Sequence, residues 1–117
     1  MNPCPCCGYE VFAEPPGSYD ICPICFWEDD NVQLRYPEMG GGANKPSLIE
    51  AQKNYAALGV MEERFLGNIR KPLPTDKRDP EWLPIIVGKD NYEKEPSAEW
   101  PADTTKLYYW RKNYWRS

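Results

Sequence analysis

The sequence predicts a small α+β fold: two cysteine knuckles and a short β-hairpin packed on one or two helices, with a proline-rich, aromatic arm wrapped around them. Three observations lead there. All five cysteines fall within the first 25 residues and include two Cys-x-x-Cys pairs. Segment 47–58 carries both the start and the stop signal of a helix. Proline makes up 13 of 117 residues, about twice the usual ~5%, so regular elements must be short. The length suits one domain with an extension, divided here as 1–70 for the cysteine-bearing unit and 71–117 for the arm.

The first pair is Cys4 and Cys7 in Cys4-Pro5-Cys6-Cys7-Gly8, and the second is Cys22 and Cys25 in Cys22-Pro23-Ile24-Cys25. Each turn is too short for its two sulfurs to diverge. The proline presets the turn's φ, and Gly8 permits the backbone to leave the first knuckle. Two such turns bring four thiolates to the corners of a tetrahedron, the sequence form of a structural zinc site and hence of a zinc ribbon. Disulfides fit less well, because the cysteine count is odd and Met1-Asn2-Pro3-Cys4 does not read as an export signal. A redox pair would need a βαβ context that is absent. Cys6 is surplus, either a packed knuckle residue or a reactive thiol.

Between the pairs, 9–13 alternates as a strand, 14–18 reads as a turn around Pro15, Pro16 and Gly17, and 19–21 can return as the second strand. Phe26 and Trp27 read as an apolar lid on the metal site. Glu28-Asp29-Asp30 reads as a solvated turn and Gly40-Gly41-Gly42-Ala43-Asn44 as a flexible loop, with no Gly-Lys-Ser/Thr to make it a phosphate cradle. The helix over 47–58 begins with a capping box, Ser47-Leu48-Ile49-Glu50, and ends before Gly59. Leu48, Ala51, Tyr55 and Leu58 share its apolar face. A weaker helical turn covers 61–66.

Six prolines between 72 and 101 forbid a long helix in the arm, although 83–87 can form a short edge strand. Trp82 and Trp100 argue that the arm is ordered. The segment 104–117 fits a helix capped by Asp103 or a strand, and periodicity does not decide between them.

Charge divides the chain. The net charge is −4 overall, −6 over residues 1–50 and +2 over the remainder. Histidine is absent, which excludes Ser-His and Cys-His catalysis and histidine metal ligands. No apolar run approaches the ~20 residues of a membrane span, so a cytoplasmic protein without membrane contact is expected.

Cys4-Pro5-Cys6-Cys7-Gly8-Tyr9, Cys22-Pro23-Ile24-Cys25-Phe26-Trp27-Glu28-Asp29-Asp30, Gly41-Gly42-Ala43-Asn44 and Ser47-Leu48-Ile49-Glu50-Ala51, in that order, resemble the bacterial cysteine-rich CPCC domain family over about residues 4–70. The activity of that family is poorly defined. Small proteins of this kind resemble immunity proteins found beside polymorphic or contact-dependent toxins. The long arm departs from the family pattern and is a natural place for partner choice.

The expected function is non-catalytic: a zinc-binding protein that acts by binding another protein, most concretely an immunity protein against a basic toxin domain. Opposite charge would steer association, and aromatic residues would anchor it. The candidate anchors are Trp27 with Glu28, Asp29 and Asp30, together with Trp82 and Trp100. The alternative is a nucleic-acid-binding ribbon using the basic aromatic tail, through Lys106, Tyr108, Trp110, Arg111, Lys112 and Trp115. The acidic head disfavours that reading, because phosphate affinity comes from cations. A thiol redox protein using Cys6 and Cys7 is a further alternative.

Overall fold

Each Cys-x-x-Cys turn reverses the chain, so the residues flanking a knuckle pair with each other. The computed structural model, which describes residues 1–116, shows this twice. β1 (Asn2–Pro3) and β2 (Glu10–Phe12) form an antiparallel pair with an irregular register, Asn2 opposite Phe12 and Pro3 opposite Glu10, and the first knuckle closes it. Around the second knuckle, Ile21 bridges Glu28. The local bonds repeat: Cys4 N–H donates to Tyr9 O at 2.8 Å, and Cys22 N–H donates to Trp27 O at 2.8 Å.

This corrects the expected hairpin. The strand at 9–13 exists in shortened form, but its partner is Asn2–Pro3, not 19–21. Pro15, Pro16 and Gly17, the last with φ 105°, turn the connection away, and Tyr19 takes a left-handed φ of 61°.

Residues 28–35 also differ from expectation. Asp30 caps a short helix, α1 (Asn31–Arg35), accepting from Val32 N–H at 2.8 Å and Gln33 N–H at 3.2 Å. Asp29 accepts from the Ser18 hydroxyl at 2.7 Å. The glycine loop behind them is fastened. The Gln33 side-chain amide donates to the carbonyls of Met39, Asn44 and Pro46, while its oxygen accepts from Asn44. Asn44 pairs reciprocally with the Glu28 backbone, and Asp30 also accepts from Ala43 N–H at 3.0 Å. The loop is therefore held by buried polar side chains.

α2 (Leu48–Leu58) follows the sequence expectation. Ser47 and Glu50 make both bonds of the capping box, and Gly59 ends the helix at φ 76°. Its buried residues are Leu48, Ile49, Ala51 and Gln52, whereas Leu58, expected on the buried face, is exposed. The turn expected at 61–66 is a 3₁₀ segment over Glu63–Asn68, which stacks Phe65 on Phe26 with ring centroids 4.4 Å apart.

The arm is packed onto the core. Leu107, Tyr108, Tyr109 and Tyr114 belong to the same buried cluster as the cysteines, Phe12, Trp27 and Leu48. The radius of gyration of 13.2 Å matches the ~13 Å of a globular chain of this size, which a detached arm would exceed. Over its described residues, 104–116, the tail is neither a continuous helix nor a strand, Ser117 lying outside them: a 3₁₀ segment, Thr104–Leu107, is capped by Asp103 and gives way to turns. Segment 83–87 is likewise not a strand, and Leu83, Ile86 and Val87 stay exposed. No helix among the described residues is long and apolar enough to cross a membrane.

Candidate metal centre

The two knuckles face each other, and their paired cysteines meet at the centre of the core. The Sγ atoms of Cys4, Cys7, Cys22 and Cys25 all lie within 4.8 Å of one another and are buried. Cys4 and Cys25 are 3.6 Å apart, and Cys7 and Cys22 are 3.8 Å apart. A tetrahedral ion bound through sulfur at ~2.3 Å requires edges of about 3.8 Å. A disulfide requires about 2.05 Å, so these four thiols are spaced for a shared ion and not for cross-links. The donor set fits a soft or borderline metal. Four sulfurs also complete a tetrahedron and leave no vertex for water.

The local electrostatics treat these thiols unequally. Hydrogen bonds from Cys25, Cys4 and Cys7 hold the Cys22 thiol far below its ordinary range, while burial pushes Cys4 and Cys25 up. Cys25 N–H also donates to Cys22 Sγ at 3.4 Å. A bound ion would favour the thiolate form at all four, since binding displaces the thiol protons. Cys6 is not one of the four, although its thiol lies within hydrogen-bonding reach of Cys25. It is fully buried, and burial raises its thiol, the opposite of an exposed, acidic, reactive cysteine.

The knuckles differ at one position. The residue after the second cysteine of each pair is left-handed: Gly8 at φ 82° and Phe26 at φ 72°. Glycine takes this conformation freely, but phenylalanine does so at a cost of ~1–2 kcal/mol, offset here by its stacking on Phe65.

Several residues assigned to partner contact lie elsewhere. Trp27 is 0% exposed and Asp29 1%, and Asp30 is a buried helix cap. They sit at the root of a structural network, because the short loop after the second knuckle turns directly into the core. Glu28 is half-buried. Trp82 lies against the first knuckle and donates from Nε1 to Pro5 O at 2.9 Å. Trp100 is 42% exposed, with its ring over the Arg35 guanidinium.

The tail does not form a stacking platform. Tyr108 is buried and donates to Pro3 O, and Trp110 donates to Asp79 at 2.9 Å. Arg111 is paired with Asp79 and Glu81, and Trp115 Nε1 donates to Glu93. Lys106 and Lys112 alone of the six remain exposed. The rings serve the core, and acidic residues of the arm neutralise Arg111.

Sequence reasoning missed Gln52, Arg78 and Asp79. Gln52 donates to Pro5 O and to the Tyr109 hydroxyl, Arg78 Nε to Cys7 O, and Asp79 N–H to Gly8 O. A signal for Gln52 was present: it is a polar residue four positions after Leu48, on the face that carries the core.

No curated protein matches the chain. The model of one protein family, Cysteine-rich CPCC, matches residues 2–76, which hold both knuckles and the helix that covers them. On that match, which covers more than half of its length, the chain belongs to the cysteine-rich CPCC family.

Proposed function

We propose that the chain is a non-catalytic zinc protein that works by binding another protein, in its most concrete form an immunity protein that neutralises a bacterial toxin domain. The observation that carries the first half is the buried tetrad itself, with edges of 3.6 and 3.8 Å. Zinc is the ion best matched to four thiolates in a redox-silent tetrahedral site. In such a site the ion supplies fold stability, and the four cysteines hold it without an open position for substrate.

The second half rests on the surface that the fold leaves available. Leu83, Ile86 and Val87 are exposed on the arm, and Trp100 stands part-exposed beyond them in sequence. Rings and aliphatic side chains of this kind anchor protein interfaces. The acidic first half supplies the charge that would steer a basic partner.

The test has two arms. Metal content of the purified protein is measured first, and one zinc per chain is expected. A tagged pull-down at low and at high salt, with and without nuclease, then asks for a stoichiometric protein partner. Recovery of nucleic acid alone would overturn the protein-binding reading while leaving the zinc site intact.

A further inference from the structure

In a metal knuckle the amides turn inward toward sulfur, so the carbonyls point outward and need donors of their own. The second knuckle obtains them from within the family-matched region: Met61 N–H donates to Cys25 O at 2.8 Å and Arg70 N–H to Pro23 O at 3.0 Å. The first knuckle does not. Apart from Gln52 on Pro5 O, its outward carbonyls are met by a segment that begins where the family match ends. Arg78 Nε donates to Cys7 O at 2.8 Å, Asp79 N–H to Gly8 O at 2.8 Å, and Trp82 Nε1 to Pro5 O at 2.9 Å. Lys77 O accepts from Glu10 N–H at 2.8 Å, and Tyr9 bridges Arg78 as in a strand pair.

Side chains complete the closure. The Arg78 guanidinium lies over both the Tyr9 and Trp82 rings, 5.0 and 4.8 Å from their centroids. Trp82 lies so close to Gly8 that a Cβ there would fall 2.6 Å from the indole. Asp79 is in turn fixed by Trp110 and Arg111 from the tail. A metal bound to four thiolates leaves a surplus of negative charge, and Arg78 is a cation bonded directly to the backbone of one ligand residue.

We propose that residues 77–82 are a clasp that closes the first knuckle and controls how fast the metal centre releases and exchanges its ion. The proposal rests on the zinc reading above. It assigns to the arm a task within the metal site that the family-matched region does not perform for itself. Release would begin at Cys4 and Cys7, because their knuckle is held from outside by a strap that can lift, whereas the Cys22 and Cys25 knuckle is held by segments continuous with α2.

The experiment uses the full chain loaded with zinc and follows transfer of the ion to a chromogenic chelator well below the melting temperature. Trp82→Phe keeps an aromatic ring but removes the N–H and the second ring of the indole, and Arg78→Ala removes the cation. Leu73→Ser, at a 55% exposed position four residues before the clasp, is the control. Transfer is expected to be about tenfold faster in Arg78→Ala and measurably faster in Trp82→Phe, a tenfold change being ~1.4 kcal/mol in the barrier. The control should match the parent. Alkylation during release, mapped by mass spectrometry, should label Cys4, Cys6 and Cys7 before Cys22 and Cys25 in both variants, an order that general destabilisation would not impose. If the parent binds zinc and both variants release it at the parent rate, or if Cys22 and Cys25 label first, the clasp is refuted and the zinc reading stands. If the parent holds no metal, both fall.

Discussion

Replacing Asp30 by alanine separates a structural role from a partner-binding one. Its carboxylate accepts from Val32 N–H and Gln33 N–H at the start of α1, and from Ala43 N–H at 3.0 Å across the glycine loop. The residue is 5% exposed, so water cannot readily replace these bonds. Loss of an N-cap costs ~1 kcal/mol, and stranding a further buried donor costs ~1–3 kcal/mol, for about 2–4 kcal/mol in all. At roughly 4–8 °C per kcal/mol for a 60–100-residue domain, zinc-loaded Asp30→Ala should melt on the order of 10–30 °C below the parent. Asp30→Asn is the discriminating partner variant, because asparagine caps helices about as well as aspartate. It should keep the helix cap through its one amide oxygen while removing the charge, and lose only the Ala43 bond, so its stability should fall between that of the parent and that of the alanine variant. Thermal melting by circular dichroism at fixed zinc concentration reads both. An alanine variant that melts with the parent would refute the cap-and-loop account. An asparagine variant that is stable but fails to bind an identified partner would return Asp30 to the interface.

Other outcomes follow from the same structure. Gly8→Ala forces a side chain into the left-handed region and against Trp82, so thermal melting should show a loss of ~2 kcal/mol or more, and Trp82 fluorescence should shift. Cys6→Ser should keep full zinc stoichiometry by native mass spectrometry, whereas Cys22→Ser should lose the ion and the ordered fold. Burial pushes the Glu93 carboxyl up, but Arg35 and Arg116 outweigh it and hold it below the ordinary value of 4.5. A depressed carboxyl stabilises the fold above its unfolded pKa, and that stability is lost as pH falls through the lower folded value. Limited proteolysis should therefore find the segment after residue 90 protected at neutral pH and exposed progressively below about pH 4.5, while Glu93→Gln should expose it already at pH 7.

The features legible in the sequence were those with short-range causes. The knuckles follow from Cys-x-x-Cys spacing, and α2 follows from Ser47, Glu50 and Gly59, each acting within a few residues. The hairpin was misread because strand 9–13 was paired with the next extended segment, although the knuckle itself had already reversed the chain and Asn2–Pro3 lay opposite. Asp29 and Asp30 looked like solvated charge because neither Ser18 nor Ala43 is near them in sequence. The tail's composition suggested a nucleic-acid platform, and only the tertiary positions of Pro3, Asp79 and Glu81 show that its rings and Arg111 are already engaged. The clasp was invisible for the same reason: Arg78 and Trp82 are more than 70 residues from the carbonyls they satisfy.

The most direct test of the account is the zinc content of the purified chain by native mass spectrometry, followed by circular dichroism before and after removal of the ion with a strong chelator. One zinc per chain, with loss of cooperative melting on chelation and recovery when zinc is restored, is the predicted result. A chain that carries no metal, or that melts identically after chelation, would contradict the claim that the four buried cysteines form a metal centre on which the fold depends.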